Sequence, residues 1–441
     1  MNPRGLFVTL VLLGGLLTAC LGAIAASGNL VLAPWRFVLF FLIALLSWGA
    51  ASWLTFTYGS HHRRVLWVVF GGAIVFRLIL LPVAPSLSTD LYRYLWEGKV
   101  QQAGINPYRF APNAPELASL RDSTISPFIN HPDWIIVYPP GAELLFRGMA
   151  WWAPGSVLAM KGLFVLLDLV SCGLIVLLLR RHGMDPAWVI LYAWHPLVLV
   201  ELAGSGHLDA VVIPLIVGGL VLAQQGRITA AGLLLGIGGS MKLYPLLLLP
   251  AVSGRRPWRP LLAATAVMGA GYLVFLPGPV SPLGSIERWM REEWFNPGIR
   301  FGLEQAFQAL GMDPGSLVRW GLLAVLGLVG VGVWLAGSSL SLERRALWMM
   351  GAHLFLIPNL FPWYVVSIVP LLCLTPMWPW LWLSGAVGLS YLFFAQAPWS
   401  IPLWVTLVEF VPLWAGLLLF WSRAWGWARA LWAIPVRRKE A

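Results

Sequence analysis

A carboxylate stands where an apolar stretch of the chain ends. The apolar stretch covers residues 65–83, and Asp90 follows it within the run Ser-Thr-Asp-Leu-Tyr-Arg-Tyr-Leu-Trp-Glu-Gly of residues 88–98. A desolvated carboxylate gains basicity, and an ionisable group at a membrane interface is by default a candidate functional group. Asp90 is therefore our candidate for a general base, the group that takes the proton from an attacking hydroxyl.

A structural explanation for Asp90 stays open. Either Asp90 or one of the two hydroxyl residues before it can cap a helix over residues 92–100. Asp90 can also pair with Arg93, three residues further on. Because Asn caps a helix about as well as Asp, the substitution Asp90→Asn keeps a cap but removes a base, and so separates the two explanations.

The composition identifies the environment of these residues. Hydrophobic residues make up 59% of the chain, charged residues make up only 11%, and the mean hydropathy is +0.78. Such values are typical of an integral membrane protein. Cys20, Cys172 and Cys373 lie singly inside apolar runs, which indicates neither a disulfide framework nor a metal site.

The formal net charge of +11 does not indicate a nucleic-acid partner. The basic residues form short clusters between apolar runs, at residues 61–64, 180–182, 255–259, 343–345 and 437–439. This is the positive-inside pattern of a multi-pass protein of the cytoplasmic (inner) membrane, and it differs from a basic face that binds DNA. The pattern predicts that both termini are cytoplasmic.

The apolar runs predict an all-α, polytopic membrane helical bundle. They lie near residues 5–26, 35–57, 65–83, 156–179, 187–203, 210–224, 260–277, 316–337, 346–357, 363–375, 379–396 and 402–421. Between the basic residues at 227 and 255 the chain must enter and leave the membrane on one side. We therefore predict two half-length helices, broken at Gly238-Gly239-Ser240, with Lys242 at the turn. The total is about 12–14 transmembrane helices in a single domain.

Two polar connections are predicted on the extracytoplasmic face. The larger covers residues 84–141, after the third helix, and the smaller covers residues 280–314. Further polar residues end spans on that face, namely Glu201, His207, Asp209, Lys242 and His353. Each of them alone is explained by structure more often than by chemistry, but their convergence with Asp90 predicts a site. The spacing of His207 and Asp209 is a weak metal signal, and we predict no metal.

Several motifs together resemble one family. Beside residues 90–98, they are Gly104-Ile105-Asn106-Pro107-Tyr108, Tyr138-Pro139-Pro140 and Met241-Lys242-Leu243-Tyr244-Pro245. With an acid in the first large extracytoplasmic loop, these runs resemble the GT-C membrane glycosyltransferases. Within that superfamily, the chain is most similar to the polyprenol-phosphate-mannose-dependent mannosyltransferases.

The resemblance implies transfer of a hexose, mannose, from a polyprenyl-phosphate-linked donor to a lipid-linked or cell-envelope glycan acceptor at the extracytoplasmic face. Asp90 would be the general base, while Lys242, Arg93 and His353 would contact the donor phosphate, whose charge grows as it leaves. The candidates for substrate binding are Tyr92, Tyr94, Trp96, Asn106, Tyr108, Tyr138, His207 and Asp209. With one base and no carboxylate nucleophile, a single displacement that inverts the anomeric carbon is favoured. No cofactor is expected.

A different class of function stays open at this point. A secondary transporter or a flippase of lipid-linked sugars would also contain a broken helical hairpin and isolated acids that face a cavity. A purely structural subunit is a third alternative. The loop over residues 84–141 favours an enzyme, because ordered connections of that length more often cover sites than merely join helices.

Overall fold

The computed structural model describes residues 2–59, 63–254, 256–276, 284–312 and 314–432. Within these residues the chain is helical, and no β-strand occurs. The first ten helices are α1 (Pro3–Ala25), α2 (Pro34–Tyr58), α3 (Arg63–Leu80), α4 (Asp90–Gln102), α5 (Pro140–Trp152), α6 (Val157–Arg181), α7 (Ile190–Ala193), α8 (Pro196–Val198), α9 (Asp209–Gln224) and α10 (Ile228–Met241). The others are α11 (Leu249–Val252), α12 (Trp258–Leu273), α13 (Ile286–Glu292), α14 (Ile299–Ala309), α15 (Gly315–Ala336), α16 (Leu342–Leu356), α17 (Pro362–Val365), α18 (Val369–Leu372), α19 (Trp378–Ala386) and α20 (Leu403–Trp432).

Helix starts follow from capping side chains and from proline. The Asn2 side chain accepts a hydrogen bond from Gly5 N at the start of α1, and Ser156 does the same for Ala159 N at the start of α6. Proline stands in the first turn of α2 and of α5. Its missing N–H is harmless there, because the first N–H groups of a helix have no partner within the helix.

Five of the described helices are long and apolar enough to cross a membrane. They cover Arg4–Ala25, Pro34–Tyr58, Val157–Arg181, Gly315–Ser339 and Leu403–Phe420. A sixth span results if the pair Pro186–Ala193 and Pro196–Ser205, which is bent by 57°, crosses as one unit. The prediction of an all-α polytopic membrane protein is confirmed. Helices that meet both criteria are fewer than the predicted spans, because several apolar runs form short or bent helices.

The predicted break at Gly238-Gly239-Ser240 is wrong. Helix α10 continues through these residues to Met241, and the chain becomes extended at Lys242. The glycines instead allow close packing: a Cβ on Gly239 would lie 2.5 Å from Leu246 Cδ2, in the returning segment. Lys242 does lie at the turn, as predicted.

The bundle has two chemically different ends. At one end, His182 Nε2 lies 2.9 Å from Glu343 Oε1, which joins the end of α6 to the start of α16. At the other end, Lys242 Nζ lies 2.5 Å from Asp209 Oδ2, and Lys242 lines the same cavity as Asp90. We call these the Glu343 end and the Asp90 end. Helix α9 starts at the second end, and α10 and α16 finish there.

Helix α4 is wrapped by its own loop. It is buried along most of its length, and Gly98 allows close packing against α5, because a Cβ there would lie 2.5 Å from the carbonyl oxygen of Phe146. The start of the loop is held by Lys161, whose Nζ donates hydrogen bonds to the carbonyl oxygens of Leu80 and Val83. This packing fixes the position of Asp90, the first residue of α4.

Candidate active site

A cavity of about 520 Å³ opens at the Asp90 end of the bundle. Its wall comes from the segment before α4, the far part of the 84–141 loop, the turn after α10, helix α13 and the segment that follows α16. Among its lining residues are Asp90, Asn130, Tyr138, Lys242, Tyr244, His353 and an aromatic group of Trp134, Trp289, Phe361, Trp363, Tyr364 and Trp399. Polar groups and flat aromatic faces around one space are the combination that a sugar ligand requires.

Asp90 points across the loop rather than into its own helix. Asn130 Nδ2 donates a 2.7 Å hydrogen bond to Oδ1 of Asp90, and the Tyr138 hydroxyl lies 3.5 Å from Oδ2. The N-cap residue of α4 is Thr89, and it makes no side-chain cap hydrogen bond. Among the described residues, no backbone N–H of α4 bonds to the Asp90 carboxylate. The cap explanation of Asp90 therefore finds no support in this geometry.

The predicted pair between Asp90 and Arg93 does not form. Arg93 Nε instead lies 2.5 Å from Glu97 Oε1, and its two terminal nitrogens donate to the carbonyl oxygens of His131 and Trp134. Arg93 touches the cavity wall, but its guanidinium hydrogens hold the loop to α4. A guanidinium has more N–H donors than these contacts use, so the contact of Arg93 with the donor phosphate stays a prediction.

Burial and the polar neighbours of Asp90 shift its pKa in opposite directions. Desolvation alone would raise its pKa, but His207, Lys242 and the hydrogen bond from Asn130 outweigh that effect, and the pKa lies below its ordinary value. Only 15% of the side chain is exposed. Asp90 is therefore an ionised carboxylate at neutral pH, with an open side toward the cavity.

Behind Asp90 lies a buried histidine. His207 Nδ1 is 3.6 Å from Asp90 Oδ2, and its Nε2 is 3.3 Å from Glu201 Oε2. The other oxygen of Glu201 accepts a 2.7 Å hydrogen bond from the Tyr391 hydroxyl. The His207 ring stacks on Trp363 with centroids 4.1 Å apart. His207 does not line the cavity, which corrects its predicted role in substrate contact.

Lys242 is the cation that faces the cavity beside Asp90. Its partner, Asp209, is fully buried and also accepts a 2.9 Å hydrogen bond from the Tyr244 hydroxyl. Lys242 Nζ lies 5.5 Å from the Tyr364 ring centroid, and the Tyr244 ring stacks on His353. Asp209 therefore supports the lysine and does not line the cavity, which corrects its predicted contact with substrate.

Five further predicted substrate residues also lie outside the cavity wall. Tyr92 stacks on Phe128, Tyr94 stacks on Phe146, Trp96 is buried, Asn106 donates to the carbonyl of Phe275, and Tyr108 donates to the carbonyl of Tyr138. The reason is shared: the loop folds over α4, so side chains expected at a membrane surface pack into the protein. Of the predicted substrate residues, Tyr138 lines the cavity.

Four other carboxylates of this region are held by a lysine or an arginine. Glu97 pairs with Arg93, Asp122 lies 2.5 Å from Lys99 Nζ, and Asp133 lies 2.7 Å from an Arg288 terminal nitrogen. Asp209 is held by Lys242. A carboxylate whose charge is neutralised by a fixed lysine or arginine is a poor proton acceptor. Of these acids, Asp90 alone faces the cavity without such a pair in the described part of the chain. Glu293 also lines the cavity, but it pairs with His131.

Sequence reasoning assigned no role to several residues that build the site. Glu201 was identified as a polar residue that ends a span but was given no role. Asn130 stands in a polar motif of the loop and so carried a signal. Tyr391 carried none, because it meets Glu201 across 190 residues of chain. Tyr244, Trp363 and Tyr364 were visible only as aromatic residues near prolines, a pattern that helix ends explain equally well.

Known proteins are similar to this chain. The family described as alpha-(1->6)-mannopyranosyltransferase, N-terminal domain, matches residues 6–255, which is more than half of the chain. Alpha-(1->6)-mannopyranosyltransferase A of Mycobacterium tuberculosis is 25% identical over 379 residues, covering 73% of this chain and 69% of that protein.

Two other relatives match over shorter regions. The Corynebacterium glutamicum protein of the same name is 27% identical over 181 residues, which is 39% of this chain and 36% of the relative. GPI mannosyltransferase 1 of Aspergillus fumigatus is 35% identical over 104 residues, which is 22% of this chain and 24% of the relative. No solved structure matches. The chain belongs to the alpha-(1->6)-mannopyranosyltransferase family of membrane glycosyltransferases.

Proposed function

We propose that this protein transfers mannose from a polyprenyl-phosphate-linked donor to a hydroxyl of a lipid-linked or cell-envelope glycan acceptor. The observation that carries the proposal is the pairing of an ionised, cavity-facing carboxylate, Asp90, with a cavity-facing lysine, Lys242. The first suits the acceptor hydroxyl, which must lose a proton. The second suits a leaving phosphate, which must gain negative charge.

A lipid carrier fits the position of the cavity. It opens at one end of a membrane helical bundle, where a polyprenyl tail stays in hydrocarbon while the sugar phosphate reaches the interface. A nucleotide-sugar donor would need a polar pocket for the base and ribose. Apart from its charged groups and a few polar residues such as Ser88 and Asn130, this cavity is lined by aromatic and aliphatic side chains, which favours the lipid-linked donor.

The basic residues support an extracytoplasmic site. His182 and Glu343 place the clusters at 180–182 and 343–345 together at the Glu343 end of the bundle. By the positive-inside rule that end is cytoplasmic, so the Asp90 end is extracytoplasmic. The N-terminal end of α1 then lies in the cytoplasm. The cluster at 437–439, on which the position of the C-terminus depends, is outside the described residues.

The two predicted outer loops would together form the lid of the site. Arg288 of α13 pairs with Asp133, His131 Nε2 lies 3.1 Å from Glu293 Oε2, and Ser285 N donates to the carbonyl of Ile136. These contacts join the loop 84–141 to the described part of 280–314. Residues 280–283 and 313 of the smaller loop are outside the described residues.

The reaction is a single displacement at the anomeric carbon. As the acceptor oxygen bonds to that carbon, its proton passes to Asp90, the bond between the anomeric carbon and the phosphate oxygen breaks, and polyprenyl phosphate leaves with the electron pair. Lys242, with His353 near it, stabilises the growing charge on the phosphate. Asp90 is a weak base, which suffices because the acceptor hydroxyl becomes strongly acidic only as the new bond forms.

The names of two relatives specify an alpha-(1->6) linkage, and we extend that linkage to this chain. An α-linked product of a single displacement requires a β-linked donor. The acceptor would then be a 6-hydroxyl of a mannoside. A primary hydroxyl on a flexible arm reaches into a recessed site more easily than a ring hydroxyl does.

Reconstitution tests the proposal. Purified protein in nanodiscs receives a β-linked polyprenyl-phosphate mannose and a synthetic mannoside acceptor, and the product is analysed by mass spectrometry and NMR. We expect an α-(1→6)-linked mannoside. Movement of donor across a membrane without a new glycosidic bond would instead indicate a flippase. Transfer from a nucleotide sugar but not from the lipid would overturn the donor assignment.

A further inference from the structure

The histidine behind Asp90 faces a carboxylate on each side. Asp90 lies 3.6 Å from one ring nitrogen and Glu201 lies 3.3 Å from the other. In the described residues neither nitrogen makes a hydrogen bond, and the two carboxylates are the charged groups that face them. The residue is buried, with only 1% of its side-chain surface exposed. Two acids on opposite sides of an imidazole restrict the protonation states that the ring can adopt.

The local fold holds this arrangement in place. Residues Leu199–Ser205 form a π-helical turn that carries Glu201, and His207 N donates a hydrogen bond to the Glu201 carbonyl. Between them Gly206 has φ +75°, a conformation that suits glycine. A Cβ at Gly206 would also lie 2.6 Å from Leu91 Cδ1, in helix α4. The histidine is therefore placed by backbone geometry and not only by side-chain packing.

Charge balance favours the protonated form of the His207 ring, the imidazolium ion. A neutral imidazole has one N–H and one bare lone pair, and the lone pair would face a carboxylate in this site. The imidazolium ion has an N–H on both sides and faces an acid with each. Glu201, whose remaining oxygen accepts from Tyr391, is buried with no lysine or arginine against it in the described residues. The positive charge on His207 is its compensation.

We propose that His207 and Glu201 are positioning residues that keep Asp90 ionised and aligned toward the acceptor hydroxyl. Glu201 acts on His207 by stabilising the imidazolium, and His207 acts on Asp90 by stabilising the carboxylate. This inference rests on the proposed role of Asp90 as the base. It assigns a function to two residues that never touch the substrate.

The arrangement also affects the end of the reaction. When Asp90 takes the proton from the acceptor hydroxyl, it becomes neutral, and the imidazolium keeps only Glu201 as a counter-ion. The carboxylic acid next to a cation readily loses its proton again to water in the cavity. Asp90 therefore returns to its ionised form before the next acceptor binds.

Other ionisable groups around the pair must be considered in any pH experiment. Lys242, compensated by Asp209, is the second cation that acts on Asp90. The remaining groups that interact with Asp90 or Glu201 are the phenols of Tyr94, Tyr138, Tyr364 and Tyr391. Phenols stay neutral across the pH range of the assay, so His207 and Lys242 dominate the charge at the site.

The pH dependence of kcat/KM tests the inference with Glu201→Gln and His207→Gln. His207→Gln removes the positive charge next to Asp90, and Glu201→Gln removes the second carboxylate that stabilises this charge. We expect the acidic limb of the profile to move upward by at least about one pH unit in each, while donor affinity stays within about threefold of wild type. Glu201→Gln keeps the shape of the side chain and remains decisive if His207→Gln does not fold.

His195→Gln is the matched control. His195 is also completely buried, but its Nε2 lies 2.9 Å from the hydroxyl of Ser384, and its Nδ1 accepts from Leu197 N. A purely structural role for His207 predicts that both histidine variants lower the melting temperature without moving the acidic limb. That result would overturn the inference if the acidic limb is also unmoved in Glu201→Gln.

The outcome separates this inference from the proposed function. If Asp90→Asn retains transfer, the base assignment fails, and the positioning role of His207 and Glu201 fails with it. If Asp90→Asn is inactive while the limb is unchanged in both positioning variants, the proposed function stands and this inference alone fails. If Asp90→Asn is inactive and the limb moves in both variants but not in His195→Gln, the inference is supported.

Discussion

Asn130 donates a 2.7 Å hydrogen bond to the carboxylate of Asp90 across forty residues of chain. The bond links the far part of the 84–141 loop to the first residue of α4. It fixes one carboxylate oxygen and leaves the group open to the cavity. A loop that orients the proposed base while it covers the cavity would explain why this long polar insertion is folded so closely against the bundle.

Asp90→Asn is expected to fold and bind donor but to lose transfer by about 10²–10⁴-fold. The amide keeps the size of the side chain but cannot accept a proton at neutral pH. The measurement is the rate of product formation by purified protein in nanodiscs, together with donor binding and the melting temperature of both forms.

Asp133→Asn is the control for this substitution. Asp133 lies in the same loop, but its side chain is 50% exposed and pairs with Arg288 at the surface. A surface pair of this kind contributes little to stability, so near wild-type activity is expected. If Asp90→Asn and Asp133→Asn were both active, Asp90 would not be the base.

Lys242→Ala should weaken donor use by about 1.5–3 kcal/mol, because a charge-assisted contact to the phosphate is lost. The same substitution leaves Asp209 buried without its cation, which destabilises the fold by about 3–5 kcal/mol. The double variant Lys242→Gln with Asp209→Asn separates these effects. It should recover stability, measured by thermal unfolding, without recovering donor affinity. Recovery of both would show that Lys242 serves only as the partner of Asp209.

Much of the site could be predicted because charges are expensive in a membrane. Asp90, Lys242 and His353 stood out against apolar runs, and all three line the cavity. The fold class followed from the same contrast. What the contrast cannot show is how far a residue lies from the cavity, which is why His207 and Asp209 were identified as polar residues of the site but misplaced within it.

Four of the predicted aromatic residues, Tyr92, Tyr94, Trp96 and Tyr108, do not line the cavity, and the reason is tertiary packing. Tyr92 and Trp96 lie on α4, and a helix after an apolar stretch was expected at the membrane surface. The loop instead closes over the helix and buries both side chains. Nothing local to α4 shows this, because the burial depends on contacts such as that between Gly98 and the carbonyl of Phe146. Tyr391 was missed for the same kind of reason.

The wild-type enzyme should keep its activity to unusually low pH. Asp90 acts only when ionised, and its pKa lies below the ordinary value of about 3.9 because His207, Lys242 and Asn130 outweigh burial. Its contribution to stability has the same sign: it is complete above the ordinary pKa and is lost as the pH falls through the lower folded value. We expect kcat/KM to be flat from about pH 7 to 5. A limb near pH 6–7 would contradict the assignment, since it would indicate a base raised by burial.

Gly141→Ala should destabilise the protein by about 1–3 kcal/mol, because the new methyl group overlaps the hydroxyl of Ser240. The contact joins the start of α5 to the end of α10, two residues before Lys242. Gly148→Ala is the matched control in the same helix, since a Cβ there meets nothing within 4 Å. It should be neutral or stabilising by up to about 1 kcal/mol. Equal melting temperatures for the two variants would contradict this packing.

The topology can be tested with a single cysteine. Asn113 is exposed in the 84–141 loop, whereas Cys20, Cys172 and Cys373 are buried and give little background. Asn113→Cys should react with an impermeant thiol reagent added to intact cells, because we propose that the Asp90 end of the bundle faces outward. A cysteine at the exposed residue Arg181, at the opposite end, should react only after permeabilisation. The reverse pattern would place the proposed site in the cytoplasm, where a soluble nucleotide sugar and not an outward-facing lipid would be the accessible donor.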